Sequence, residues 1–260
     1  MTWALKRQIF YVVVVILFIS VTAFLIIYPK LSKPPTCFDN TQNGTEVGVD
    51  CGGSCSKACT TQVDNVSVLW SRAFKIAPGR YNVVAYLLNH NKNIAASKIN
   101  YRFRFADKDN IYIGQREGFT SIPASGNFAV FEPGIDIGNS IPVYVTFEFT
   151  QMPDWTFISK EKINQVKVLV SNIVLSNEET SPRLSATLKN SSLFTIPDVN
   201  IVAILYDVLG NAVSVSRTYL DVLNPEEVTE LTFTWPEPFP AKVVAKEIIP
   251  MYNIFRVKLK

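Results

Sequence analysis

Four cysteines fall within one short stretch, Cys37, Cys51, Cys55 and Cys59, with thirteen, three and three residues between them. Thiols gathered so closely either pair as disulfides or hold a metal. Zinc and iron–sulfur thiolate sites usually bring two sulfurs to one metal through Cys-x-x-Cys pairs, a spacing missing here. An even number of cysteines in a Gly-rich segment with too few apolar residues for a core fits two disulfides instead. Four cysteines admit three pairings, and all three stay open.

The same stretch carries oxygen ligands in a second pattern. Asp39, Thr41 and Asn43 stand at places one, three and five of a twelve-residue register that ends on Asp50, with Gly44 at the sharp-turn position. Calcium loops take their ligands from those places, so calcium is the cofactor this register would hold. Thr41 replaces an acid, however, Asp50 replaces a bidentate Glu, and no helix flanks the loop. The alternative is a stapled loop with solvated acids, turned by Asn43-Gly44 and Gly52-Gly53.

Little else could do covalent chemistry. His90 is the one histidine, set in the polar run Leu88-Asn89-His90-Asn91-Lys92-Asn93, which reads as a loop between strands. No Gly-x-Ser-x-Gly elbow supplies a nucleophile, and no Gly-rich phosphate loop is present. The adjacent acids Glu178-Glu179 and Glu226-Glu227 sit in turn-rich segments where carboxylates are normally solvated. The sequence therefore predicts no catalytic residue and no enzyme.

The elements that carry these residues begin with an apolar run. Ile9 to Tyr28 holds no charge, Gly or Pro, and as a helix it matches the hydrocarbon core of a bilayer. Lys6 and Arg7 precede it, Trp3 and Tyr28 sit at interfacial positions, and Pro29 is expected to end it. A cleaved signal peptide is the rival, with Val21-Thr22-Ala23 as the cleavage site, but cleavage would leave Phe24 to Tyr28 exposed at the new terminus. Residues 1–30 contribute Lys6, Arg7 and Lys30 and no acid, which accounts for the whole net charge of +3. The remaining charges balance, so no basic stripe is left for nucleic acid.

Beyond Thr60 short apolar runs alternate with turn residues. Ile99, Tyr101, Phe103 and Phe105 alternate with Asn100, Arg102 and Arg104, and Val143, Val145, Phe147 and Phe149 with Tyr144, Thr146 and Glu148. That period of two predicts strands. Tyr101, Phe103, Phe105, Tyr112, Phe119 and Phe128 are expected in the core, although a sugar-stacking face is the other use of such a set. At offsets of 100–102 residues Asn89 falls over Asn190, Asp107 over Asp207, Arg116 over Arg217 and Pro123 over Pro225, an order that indicates a duplicated domain. The expected layout is a cytoplasmic N-terminus (1–8), a transmembrane helix (9–28), a Cys-rich disulfide segment (34–60) and two β-sandwiches (64–160 and 163–260). The terminal run Ile254 to Leu259 has no evident partner in the first repeat and is expected to pair on a sheet edge of the second.

Two resemblances follow. The string from Cys37 to Cys55, with its Asn43-Gly44-Thr45-Glu46-Val47-Gly48-Val49-Asp50-Cys51-Gly52-Gly53 centre, resembles a cysteine-rich motif of bacterial surface proteins. The run Val202-Ala203-Ile204-Leu205-Tyr206-Asp207, followed by Gly210 and Pro225-Glu226, resembles bacterial immunoglobulin-like domains of the Phe-x-Leu-Tyr-Asp type, with Ala203 in place of the motif Phe. Together these features resemble uncharacterised bacterial single-pass surface proteins. The resemblance implies an all-β fold of tandem immunoglobulin-like sandwiches behind one N-terminal transmembrane helix. It places the C-terminal domains outside the plasma membrane, with the bilayer and an extracytoplasmic protein or polymer as partners. The implied role is a non-catalytic binding or spacer module, and the alternative is a calcium-stiffened sensor or assembly subunit of an envelope complex.

Overall fold

Helix α1 (Trp3–Leu31) opens the chain in a computed structural model that describes residues 2–31 and 35–259. Its stretch Trp3–Tyr28 is long and apolar enough to cross a membrane, and none of its most apolar window is buried against protein. The helix starts six residues before Ile9, taking in Lys6 and Arg7, and the Arg7 guanidinium lies 5.0 Å from the Trp3 ring centre. The expected stop at Pro29 is overturned, because the helix runs on to Leu31. A proline so near a C-terminus removes one N–H from the last turns and breaks little else.

Two compact units divide the chain, residues 1–55 and 56–260. The division falls inside the expected 34–60 segment, and Ser56–Ala58 belong to the second unit. There Ala58 N donates to Trp155 O, Phe157 N donates to Ser56 O, and Ala58 is buried in a core.

The second unit is built of strands. The first half comprises β1 (Ser67–Ala77), β2 (Arg80–Asn89), β3 (Ile94–Ala106), β4 (Tyr112–Ile122), β5 (Gly126–Asp136), β6 (Tyr144–Phe149) and β7 (Trp155–Phe157). Helix α2 (Lys160–Gln165), capped by the Ser159 hydroxyl accepting from Lys162 N, leads to the second half. That half comprises β8 (Val168–Ser176), β9 (Arg183–Asn190), β10 (Phe194–Tyr206), β11 (Ala212–Leu223), β12 (Val228–Thr234), β13 (Ala245–Met251) and β14 (Lys258–Leu259). Pairing is antiparallel throughout these strands and gives four sheets: β4-β3-β6 with β7 on β3 (sheet I), β1-β2-β5 (sheet II), β11-β10-β13 with β14 on β10 (sheet III) and β12-β9-β8 (sheet IV).

Side-chain alternation decides how the sheets stack. Tyr101, Phe103 and Phe105 of sheet I meet Val83, Ala85 and Leu87 of sheet II in one core. Ile201, Ala203 and Leu205 of sheet III meet Leu184, Ala186 and Leu188 of sheet IV in another. Strands β2 and β10 are apolar on their other faces too, so Val84, Tyr86, Ala129 and Phe131 of sheet II close on Val202, Ile204, Val215 and Ile249 of sheet III. The order is therefore I, II, III, IV. The buried runs 83–87 and 201–205 lack a period of two because both faces are covered.

The halves repeat one another bond for bond. Asn89 Nδ2 donates to Ile94 O and Pro123 O, and Asn190 Nδ2 donates to Phe194 O and Asn224 O. Asp107 N donates to Ile111 O as Asp207 N donates to Asn211 O, and each carboxylate caps two backbone N–H groups of its own turn. Two sequence alignments need correction. The terminal strand is not surplus to the repeat: β14 pairs with Phe194 and Thr195 as β7 pairs with Ile94, Ala95 and Ala96. Arg116 is not the counterpart of Arg217, because Arg217 stands opposite Val202 and it is Glu117 that stands opposite Arg102. A slip of one residue moves a side chain to the other face of the sheet.

Equivalent faces carry opposite chemistry. On sheet I the row Glu117, Arg102, Glu148 is an exposed ion cluster, with Arg102 Nε 2.7 Å from Glu117 and Arg102 Nη1 3.5 Å from Glu148. The same row on sheet III is Arg217, Val202, Ile249, and sheet II covers Val202 and Ile249 while Arg217 stays exposed. Sheet II presents Val84 paired with Phe131 and Tyr86 with Ala129, where sheet IV presents Ser185 with Thr232 and Thr187 with Glu230.

Candidate functional site

The cysteine segment closes on itself. All four cysteines are disulfide-bonded, and Cys37 pairs with Cys55. Cys37, Glu46 and Cys55 bring ligand atoms within 4.8 Å of one another, but the two sulfurs are bonded to each other and offer no thiolate to a metal. Gly53 lies at φ +62°, and a Cβ there would sit 1.8 Å from Thr45 O, so only glycine fits this turn.

Asp39, Thr41 and Asn43 do come together. Thr41 Oγ1 donates to Asp39 Oδ1 at 2.6 Å and Asn43 Nδ2 donates to Asp39 Oδ2 at 2.8 Å. Those bonds, Thr41 first, hold the Asp39 carboxyl down at about 2. Asp50 turns to the backbone, where it accepts from Asp39 N at 2.9 Å and Asn40 N at 3.0 Å. The hydroxyl and amide thus aim donors, not lone pairs, at the carboxylate a cation would need.

His90 is exposed, as a loop histidine should be, yet a serine does stand beside it: Ser67 Oγ lies 2.8 Å from His90 Nε2. The contact spans 23 residues and comes from the register of β1 on β2, where Ser67 faces Leu88. Among the described residues no carboxylate bonds the other ring nitrogen. Tyr101, Phe103, Phe105 and Phe128 are buried as expected, whereas Tyr112 and Phe119 are exposed.

The polar group that does the most between the halves is Glu247, which carried no sequence signal. From β13 it accepts Tyr86 Oη on Oε1 and Tyr206 Oη on Oε2, both at 2.8 Å, so one carboxylate ties sheet II to sheet III. Asn127 Nδ2 donates to Tyr86 Oη at 2.7 Å and Trp70 stacks on the Tyr86 ring at 5.4 Å. Burial first, then Glu247, pushes both phenols above their ordinary range. Arg72 Nη1 donates to Ala212 O at 3.1 Å and Asn253 Nδ2 to Ser97 O at 2.8 Å across the same seam. A buried carboxylate, Glu132, accepts Tyr101 Oη at 2.7 Å and Arg116 Nε at 3.0 Å within the first half.

No protein-family profile and no curated protein matches the chain. Among solved structures it is similar to a red sea bream transglutaminase, at 8% identity over 73% of this chain and 30% of that one with a TM-score of 0.24. It is also similar to a β-glucuronidase of glycoside hydrolase family 2, at 10% identity over 84% of this chain and 29% of that one with a TM-score of 0.22. The chain spans less than a third of either protein, and likeness this slight carries no inference about chemistry.

Proposed function

We propose that the chain is a non-catalytic surface protein, anchored in the plasma membrane by α1, whose tandem immunoglobulin-like β-sandwiches stand outside the cytoplasm as a binding and spacing module. The observation that carries this reading is the wholly exposed apolar helix set ahead of a segment whose four cysteines are oxidised. An apolar surface of that length finds its solvent in a bilayer, and disulfides persist in oxidising compartments. The two sheet pairs, with the same asparagine and aspartate bonds in each half, support the tandem sandwich type. The sealed seam between them supports a stiff spacer over a flexible tether. The Ser67 and His90 pair supports no hydrolase, since among the described residues nothing orients the imidazole.

Protease added to intact cells tests the topology. Loss of the sandwiches with retention of a short membrane stub is the expected result. A full-length chain that survives on cells whose other surface proteins are cut would refute it.

A further inference from the structure

Past Val202 the seam between the halves opens into a cleft of about 230 Å³, walled by Phe119 and Ser121 of sheet I and Phe131 of sheet II on one side and by Asn200, Arg217 and Tyr252 on the other. Three observations there point to a ligand. Arg217, exposed at the edge of the seam, projects from the same face of β11 as the buried Val215, and its guanidinium lies 5.5 Å from the Phe131 ring centre. Among the described residues it has no carboxylate partner, whereas the other arginine lining the cleft, Arg256, is paired with Asp198. A guanidinium laid over an aromatic plane keeps its fork free for a planar anion.

The second observation is the set of unspent hydrogen-bonding groups. Among the described residues the side chains of Asn200, Ser121, Ser97 and Tyr252 make no hydrogen bond, though all four line the cleft and the Tyr252 ring is half-buried. Polar groups converging on a concave site are expected to be satisfied by water or by ligand hydroxyls.

The third observation is the rim. Phe119 is 68% exposed on β4, with Lys98 Nζ 4.7 Å from its ring centre. Across from it Asp198, at φ 51° on β10, is held by Tyr219 Oη at 2.7 Å and by Arg256.

We propose that this cleft binds a single acidic sugar of the uronic-acid class, with its carboxylate on Arg217, its hydroxyls on Asn200, Ser121 and Tyr252, and an apolar ring face against Phe119. One free guanidinium matches one carboxylate. A planar carboxylate takes the guanidinium fork in two parallel hydrogen bonds, and inorganic phosphate binding as tightly as glucuronate would overturn this choice of anion. The cleft has room for a ring and not for a chain of them, so the module would hold the acidic end or a side branch of a polymer. This deepens the binding reading above and rests on it.

Calorimetry on the full chain, in a detergent without a sugar headgroup, tests the cleft with glucuronate, glucose and acetate as probes. Glucuronate should saturate in the millimolar range, with glucose and acetate at least about tenfold weaker. Arg217→Met should weaken glucuronate by about tenfold or more, Phe119→Ala should weaken it with little effect on acetate, and Arg217→Lys, which keeps the charge and the fold, should fall between Met and the parent. No saturable heat with glucuronate, glucose binding as well as glucuronate, or an Arg217→Met protein that binds like its parent would each overturn the proposal. Protease shaving reads topology and calorimetry reads the cleft, so either idea can fail alone.

Discussion

Replacing Glu247 with alanine removes the one carboxylate that both halves share. Two phenol hydroxyls lose a charged acceptor, each at 2.8 Å, and hydrogen bonds to charged groups contribute about 1.5–3 kcal/mol apiece. Glu247 is only half-buried, so water recovers part of that loss and about 2–4 kcal/mol is the expected cost. The apolar seam should outlast it, because burying Val84, Val202, Ile204 and Val215 contributes about 1.5–3 kcal/mol each. Unfolding of Glu247→Ala should therefore stay a single transition with a midpoint lower by roughly 5–15 °C, at about 2–4 °C per kcal/mol for a body this size. Glu247→Gln keeps one acceptor and should lose about half as much. Thermal melts of the full chain, followed by tryptophan fluorescence, would read this, since Trp70 stacks on Tyr86 at the seam. If both variants melt within about 1 °C of the parent, the carboxylate does not couple the halves.

Three further outcomes are expected. Asn190→Ala strands the carbonyls of Phe194, Leu223 and Asn224 in a buried site and should cost about 3 kcal/mol by urea titration, while Asn65→Ala on the surface serves as a neutral control. Stability should fall at alkaline pH. The buried phenols Tyr86 and Tyr101 are held protonated above the ordinary value of 10.0, so their contribution is intact below pH 10 and fades as the unfolded chain ionises first. Each should cost about 1.4 kcal/mol per pH unit beyond that point, and a urea midpoint that stays flat from about pH 9 to 11 would contradict it. Calcium at about 1 mM should give no heat with the oxidised full chain, because Thr41 and Asn43 turn donors toward Asp39; saturable heat that Asp39→Asn abolishes would show that the loop reorganises around the ion.

Much of this architecture is legible in the residues, and the part that is not has a physical reason. The apolar run of α1, the oxidised cysteines and the alternation of Ile99 to Phe105 each rest on a local period or spacing. The repeat is legible where polar residues mark it, at Asn89 and Asn190 and at Asp107 and Asp207, because a buried amide or a turn carboxylate has few substitutes. Strands β7 and β14 are three and two residues long, too short to show a period, which is why the second was read without its counterpart. Arg217 was matched to the wrong residue because an offset that is right to within one position still chooses the wrong face. The seam lay beyond reach for a different reason. An apolar run such as Val83 to Leu87 says that both faces are covered but not by what, and Glu247, Tyr86 and Tyr206 meet only once two distant registers are set.

The contact between sheets II and III joins unlike faces of like folds, and a join of that kind has no natural end. Applied again it would add a third copy, then a fourth, as an open filament. Growth is stopped at both ends by residues already in place. Sheet I offers a newcomer Arg102, Arg104, Glu117 and Glu148 where sheet III offers Val202, Ile204, Arg217 and Ile249, and sheet IV offers Ser185, Thr187, Glu230 and Thr232 where sheet II offers apolar side chains. The terminal faces thus lack the apolar rows that this contact uses, like the polar caps that end solenoid arrays.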